Sequence, residues 1–374
     1  MKTIPMYKPL IEEDEINAAR EALEMGWLGM GSYVAEFEKE IKKYISAEDR
    51  YVVAVNTGTS ALHLAMLLAK VEPGDEVITP SFNNVGDFQA ILAAGAKPVF
   101  CDIDENTLCI DVEKAQEMIS PKTKAIIAMD YGCMLCDHNS ALELAKMKNI
   151  RLIHDAAHSF GSKYNGKPIG SFSDICIFSF DPVKNITCID GGALVVKTEE
   201  EAIQLHEMRL IGMTQPSTIM YKNERAWTYD VKNIGFRYHL SNLHAAIGLS
   251  QLKKIHKISE NRRKAAIYLN SNLMNIDELI IPKTDFNNIT PFSYFVRVRH
   301  DLRDDFRQYL LHHGIETGIH WQPGHWFSLF KNCKKGDLSI TEKIAKEIVS
   351  LPINSNMTHD ELDRIVNSVK MFFS

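Results

Sequence analysis

From about Tyr51 to Val196 the chain alternates short β-rich apolar runs with stretches of helical period. YVVAV is followed by SALHLAMLLAK, DEVITP by FQAILAAG, and KPVFCDI by KAIIAM. SALELAKMKN, RLIHDA, ICIFSF and ALVV continue the rhythm. Strands that alternate with helices at this spacing predict βαβ units, and therefore a mostly parallel sheet flanked by helices. About six or seven strands are expected from the pattern. The fold class is α/β.

Beyond the Gly191–Gly192 pair the pattern changes. Thr214 to Tyr229 has mixed polarity without a period and reads as a long ordered loop. From Ser241, a plausible N-cap, LHAAIGLSQLKKIHKISENRRKAAIYLNSNL is helical and long enough to link two domains. The boundary is expected near residue 250, giving a large α/β domain over 1–250 and a small α+β domain over 251–374. In the second, YFVRVRH reads as a strand, DLRDDFRQYLLHHG as a helix closed by Gly314, and the tail from Thr358 as a final helix.

A chain of 374 residues with 45% hydrophobic and 24% charged residues can bury a substantial core in each domain. The formal charge of −6, from 42 basic and 48 acidic residues, offers no positive field for a nucleic-acid backbone. The amino-terminal segment lacks an apolar signal region, and no run approaches the roughly 20 residues that span a bilayer. A cytoplasmic protein with no membrane partner is expected. The seven cysteines show no framework spacing, so reduced thiols are expected. Cys133 and Cys136 form a C-x-x-C without a second pair at zinc-site distance, so no metal is expected.

Three local features carry chemistry. In IFSFDPVKNITCIDGG, Lys184 directly follows a predicted buried strand and precedes a Gly-Gly turn. Alone it reads as a solvated loop lysine; at the mouth of a sheet, desolvation lowers its pKa and frees the amine to form a Schiff base with an aldehyde. In RLIHDAAHSFGS, Asp155 ends an apolar strand 29 residues earlier. It suits a helix N-cap or, in a pyridoxal-phosphate (PLP) site, the group that keeps the pyridinium nitrogen protonated. In NTGTSALHLAML a strand end and a turn at Gly58 lead into a helix carrying Thr57, Thr59 and Ser60, a ready phosphate site to which the Ser179 hydroxyl could add. The combination is far more specific than any part.

These residues, with GWLGMGSYVAEFEKE, PGDEVITPSF, AILAAGAKPVFCDID, GFRYHLSNLHAAIGLSQL and GIHWQPGH, resemble the DegT/DnrJ/EryC1/StrS family of sugar aminotransferases over nearly the whole chain. The resemblance implies a three-layer PLP-transferase fold of type I and a homodimer with active sites at the subunit interface. It implies PLP joined to Lys184, Asp155 at the ring nitrogen, His158 near the ring hydroxyl, and Gly58, Thr59, Ser60 and Ser179 at the phosphate. Arg237 matches a position that reaches the phosphate of the partner subunit. Asn84 stands where relatives carry an aromatic stacked on the cofactor ring, so Phe82 or Phe88 substitutes or stacking is weaker. Asp181 and Asp190 also depart from the family pattern.

The reaction so implied moves an amino group from L-glutamate to a nucleotide-linked keto-deoxysugar, in surface-polysaccharide or amino-sugar biosynthesis. Relatives that act as dehydratases carry histidine in place of Lys184. The segment AMDYGCMLCDH, with Asp130 and Tyr131 as substrate candidates, is closer to the C4-aminating subgroup than to the C3-aminating one, which stays the alternative. His320 and His325 are candidates near the sugar. An inactive PLP-fold binding or regulatory protein is the competing class.

Overall fold

The alternating runs fold as the sequence predicts in the computed structural model, which describes residues 3–214, 216–225 and 227–374. The strands are β1 (Tyr51–Val55), β2 (Glu76–Pro80), β3 (Lys97–Cys101), β4 (Thr123–Met129), β5 (Arg151–Asp155), β6 (Lys163–Tyr164), β7 (Lys167–Pro168), β8 (Ile175–Ser179) and β9 (Gly192–Val196). β6 and β7 form a hairpin of their own, and the other seven make one sheet in the order β1-β9-β8-β5-β4-β2-β3. Only β9 runs against the rest, pairing antiparallel with both β1 and β8.

Helices cover both faces. Among them are α1 (Glu13–Met25), α2 (Ser32–Tyr44), α3 (Gly58–Leu68) and α4 (Val85–Ala93). Successive strand residues point to opposite faces: Val53 and Val55 pack with Leu64 of α3 and Ile91 of α4, while Val52 and Ala54 pack with Phe37 and Ile41 of α2. The result is a three-layer α/β domain. Its bulk is pinned by a buried ion pair in which Arg209 Nη1 donates to Glu38 Oε1 at 2.6 Å, with Ala54 O as a second acceptor at 2.6 Å.

Ser241 caps the helix Asn242–Lys253, its side chain accepting the His244 N–H. This helix does not run on as the sequence suggested: the chain turns at Lys254 and a second helix spans Ile255–Leu273. Residue 250 therefore lies inside a helix that packs on α1 and α2, and Ile255 and Ile258 beyond the turn still pack with Phe37 and Phe178. The carboxy-terminal part holds the antiparallel sheet β10 (Leu279–Ile280), β11 (Tyr294–Val298) and β12 (Ile348–Leu351). Helices Arg303–His312 and His359–Phe372 follow their predicted positions. The stretch expected as a loop contains the short helix Pro216–Met220.

The two parts share one apolar cluster, which joins Ile78, Val99 and Ile126 of the central sheet to Leu269, Val296, Phe306 and Ile365. Ile4 also bridges to Ile315, so the amino-terminal segment is tied to the carboxy-terminal part. No helix among the described residues is long and apolar enough to cross a membrane.

Candidate active site

Strand register builds the floor of the site. Met129 of β4 pairs with Asp155 of β5, and Asp155 with Ile177 of β8. These three, with Ser179 two residues along β8, share the wall of a cavity of about 300 Å³ at the carboxyl ends of the parallel strands. That is where open α/β sheets bind ligands. Ser179 ends β8, and the turn after it returns Lys184 to the same cavity, with the Lys184 N–H bonded to Asp181 O at 3.1 Å.

Lys184 is half-buried, its remaining surface opening into the cavity. Its Nζ lies 4.4 Å from the centroid of the Phe292 ring. Burial lowers the amine from 10.5 to about 8, even though Asp155, Asp181 and Asp87 act to raise it. Asp155 is buried, and its Oδ1 accepts the Ala157 N–H at 2.9 Å. Burial raises the carboxyl, and that hydrogen bond and the Lys184 charge act against the rise.

The first turn of α3 also lines the cavity and presents the N–H groups of Gly58 and Thr59, which have no partner within the helix. The Thr57 side chain caps that turn by accepting the Ser60 N–H at 3.0 Å. A Cβ on Gly58 would come within 2.8 Å of Ser179 Cβ and 2.9 Å of its Oγ. Glycine is thus required for the close approach of turn and strand.

His158 is buried and stacked on Phe292, with ring centroids 4.1 Å apart and planes at 15°. Its Nδ1 accepts the Gly132 N–H at 3.2 Å, so Nε2 carries the proton of the neutral ring. Burial and then the Lys184 charge hold its pKa well below 6.5. His320 also lines the cavity, neutral for the same two reasons with a pKa of about 4. It contacts the Tyr7 hydroxyl at 3.3 Å through Nε2 and Ser350 Oγ at 2.9 Å through Nδ1.

Of the residues singled out in the sequence, the cavity brings together Gly58, Thr59, Asn84, Asp155, His158, Ser179, Lys184 and His320. Asn84 caps α4 by accepting the Gly86 N–H at 2.8 Å. Five residues lie elsewhere. Asp130 follows Met129 and points to the opposite face, where it accepts from His138 Nε2 at 2.9 Å, His154 Nε2 at 2.7 Å and Ser159 Oγ at 2.6 Å. It is buried and does not line the cavity. Tyr131 is buried and donates to His320 O. His325 is buried between Ser81 and Glu342. The Ser60 hydroxyl is spent on Asn56 Oδ1 at 2.7 Å. Arg237 is exposed, beside Trp27 and Met213 in a separate depression.

Neither proposed replacement for the missing aromatic reaches the cavity. Phe82 packs on Tyr131, and Phe88 on Phe100 and Phe330. Tyr7, Asp87, Phe292 and Trp321 line it without having been singled out. Cys133 and Cys136 are buried free thiols. Asp130, His138 and His154 lie close enough together to hold an ion, yet each oxygen of the carboxylate already accepts hydrogen bonds.

A nucleophilic amine, a carboxyl facing it and a helix-end anion cradle, all at the strand ends of a three-layer α/β domain, define a PLP enzyme of fold type I. The chain belongs to the DegT/DnrJ/EryC1/StrS aminotransferase family, whose model matches residues 9–370. It is 32% identical to the spore coat polysaccharide biosynthesis protein SpsC of Bacillus subtilis, over 98% of this chain and 96% of that protein. It is 30% identical to the UDP-4-amino-4-deoxy-L-arabinose–oxoglutarate aminotransferase of Shewanella sediminis, over 98% of this chain and 97% of the relative. Among solved structures, the aminotransferase TlmJ of Streptoalloteichus hindustanus superimposes with a TM-score of 0.91 at 29% identity, covering 98% of each chain. The protein is a sugar aminotransferase that uses PLP.

Proposed function

We propose that this aminotransferase moves the amino group of L-glutamate onto C4 of a nucleotide-linked keto-deoxysugar, for the assembly of a polysaccharide or an amino sugar. The observation that carries this reading is the convergence of Lys184, Asp155 and the Gly58–Ser179 cradle on one cavity. The 4-amino sugar in the name of the Shewanella sediminis relative favours C4, and the name of SpsC favours a polysaccharide pathway.

The residues fit the cofactor. The α3 turn and the Ser179 hydroxyl suit its phosphate, and the space there exists because residue 58 has no Cβ. Asp155 suits the ring nitrogen, and the Nε2–H of neutral His158 is a donor for the ring hydroxyl. PLP, when bound, supplies an electron sink for the carbon that gains or loses the amino group. Lys184 holds the cofactor and, once free, its amine takes the proton from the α-carbon of glutamate and returns a proton to the sugar carbon. A pKa of about 8 keeps part of the amine unprotonated near neutrality. Asn84, which lines the cavity, would offer the ring no aromatic face.

The protein is proposed to act as a homodimer, with Arg237 reaching the phosphate held by the partner subunit. Its exposure, and that of Trp227 (82%) and Ile234 (83%) near it in sequence, suits a surface that another copy covers.

Incubation of purified protein with glutamate and a panel of nucleotide-linked 3-keto and 4-keto sugars, read by product mass, tests the assignment. Amination of a 4-keto sugar is expected. Amination of 3-keto sugars alone would replace C4 with C3, and acceptance of none, while glutamate still bleaches the cofactor, would place the acceptor outside the class.

A further inference from the structure

The cavity contains a second buried carboxyl, Asp87, to which the chemistry above gives no role. It stands in the first turn of α4 and is completely buried. Its Oδ2 accepts the Asn83 amide at 2.5 Å, while its buried Oδ1 has no hydrogen-bond partner. An ionised carboxylate there would leave part of its charge uncompensated, whereas a carboxylic acid leaves only a hydrogen to be placed. The charged groups that act on Asp87 are Asp155 and Lys184. Two buried carboxyls beside one amine cannot both ionise cheaply, and environment decides which keeps the proton. Asp155 accepts a backbone N–H, which favours its charged form. Asp87 has only the Asn83 amide.

We propose that Asp87 is held as a carboxylic acid and donates its hydrogen to the Asp155 carboxylate, fixing the orientation in which Asp155 meets the ring nitrogen of PLP. Asp87 is then a positioning residue. The inference rests on the reading that places Asp155 at that nitrogen. Burial, followed by the Asp155 charge, pushes the Asp87 carboxyl well above its ordinary range. Asparagine at this position keeps a donor of nearly the same shape and removes no charge from an acid that carried none. Valine removes the donor.

The experiment compares wild type, Asp87→Asn, Asp87→Val and Asp155→Asn as apoproteins, with thermal melting to establish that each folds. Infrared difference spectra in H2O and D2O are expected to show a protonated-carboxyl stretch in wild type near neutrality, absent from Asp87→Asn. Titration with PLP, followed by its visible absorbance, is expected to give Asp87→Asn an affinity within about threefold of wild type. Asp87→Val should bind at least tenfold more weakly, with a shifted pH midpoint of the visible band. Absence of the protonated-carboxyl stretch in wild type, or an Asp87→Asn variant as impaired as Asp87→Val, would overturn the proposal. Unchanged PLP binding and spectrum in Asp155→Asn would overturn the ring-nitrogen reading instead, while the infrared signal of the apoprotein still reports where the Asp87 proton is.

Discussion

Lys184 Nζ lies 4.4 Å from the centre of the Phe292 ring, so a residue of the carboxy-terminal part closes over the reactive amine of the central sheet. Burial, to which the ring contributes, favours the neutral amine, the carboxylates of Asp155, Asp181 and Asp87 favour the ammonium, and the balance is a pKa of about 8. Attack on the PLP aldehyde needs the free amine. The rate at which apoprotein takes up PLP, followed by absorbance, should therefore rise with pH and level off above about 8. Phe292→Ser, which admits water, should move that midpoint upward by about one pH unit or more. An unmoved midpoint would show that Phe292 does not control the amine.

Gly58 and Ser179 make a second contact on which binding depends. The 2.8 Å approach that a Cβ would suffer cannot be relieved by a flexible chain end, because it meets Ser179 at its own Cβ. Gly58→Ala should weaken PLP binding at least tenfold, in an equilibrium titration of the apoprotein. The double variant Gly58→Ala, Ser179→Gly should recover part of the loss.

Asp130 separates a structural role from a substrate role. Its carboxylate is buried and is bonded to two histidines, so Asp130→Ala leaves both imidazoles without their acceptor. Breaking such a buried group should cost about 3 kcal/mol or more in chemical denaturation. A variant as stable as wild type with a raised KM for the sugar would restore the substrate role that the sequence suggested.

That case also shows how far the sequence was legible. The strands and the α3 turn could be read because each is local: period and cap chemistry sit within a dozen residues. Lys184 and Asp155 each have an ordinary reading alone and were singled out only by their combination and the family resemblance. Asp130 was chosen because its segment resembles the C4-aminating subgroup, which does not tell where a side chain points: Met129 lines the cavity, and in an extended chain its neighbour points to the opposite face. The same alternation sends His154 to the Asp130 cluster and Asp155 to the cavity. His325 was misplaced for a related reason, since it shares a motif with His320 but turns into the contact between Ser81 and Glu342. Tyr7 and Phe292 had no signal of their own. They meet, with ring centroids 5.2 Å apart, only because the carboxy-terminal part folds back onto the amino-terminal segment.

The central claim is that Lys184 is the residue that carries the cofactor. Borohydride reduction of the PLP-loaded protein, followed by proteolysis and mass spectrometry, should place a phosphopyridoxyl group on the peptide containing Lys184, and Lys184→Ala should lose it. A label on any other lysine, or an undiminished one in Lys184→Ala, would contradict the account.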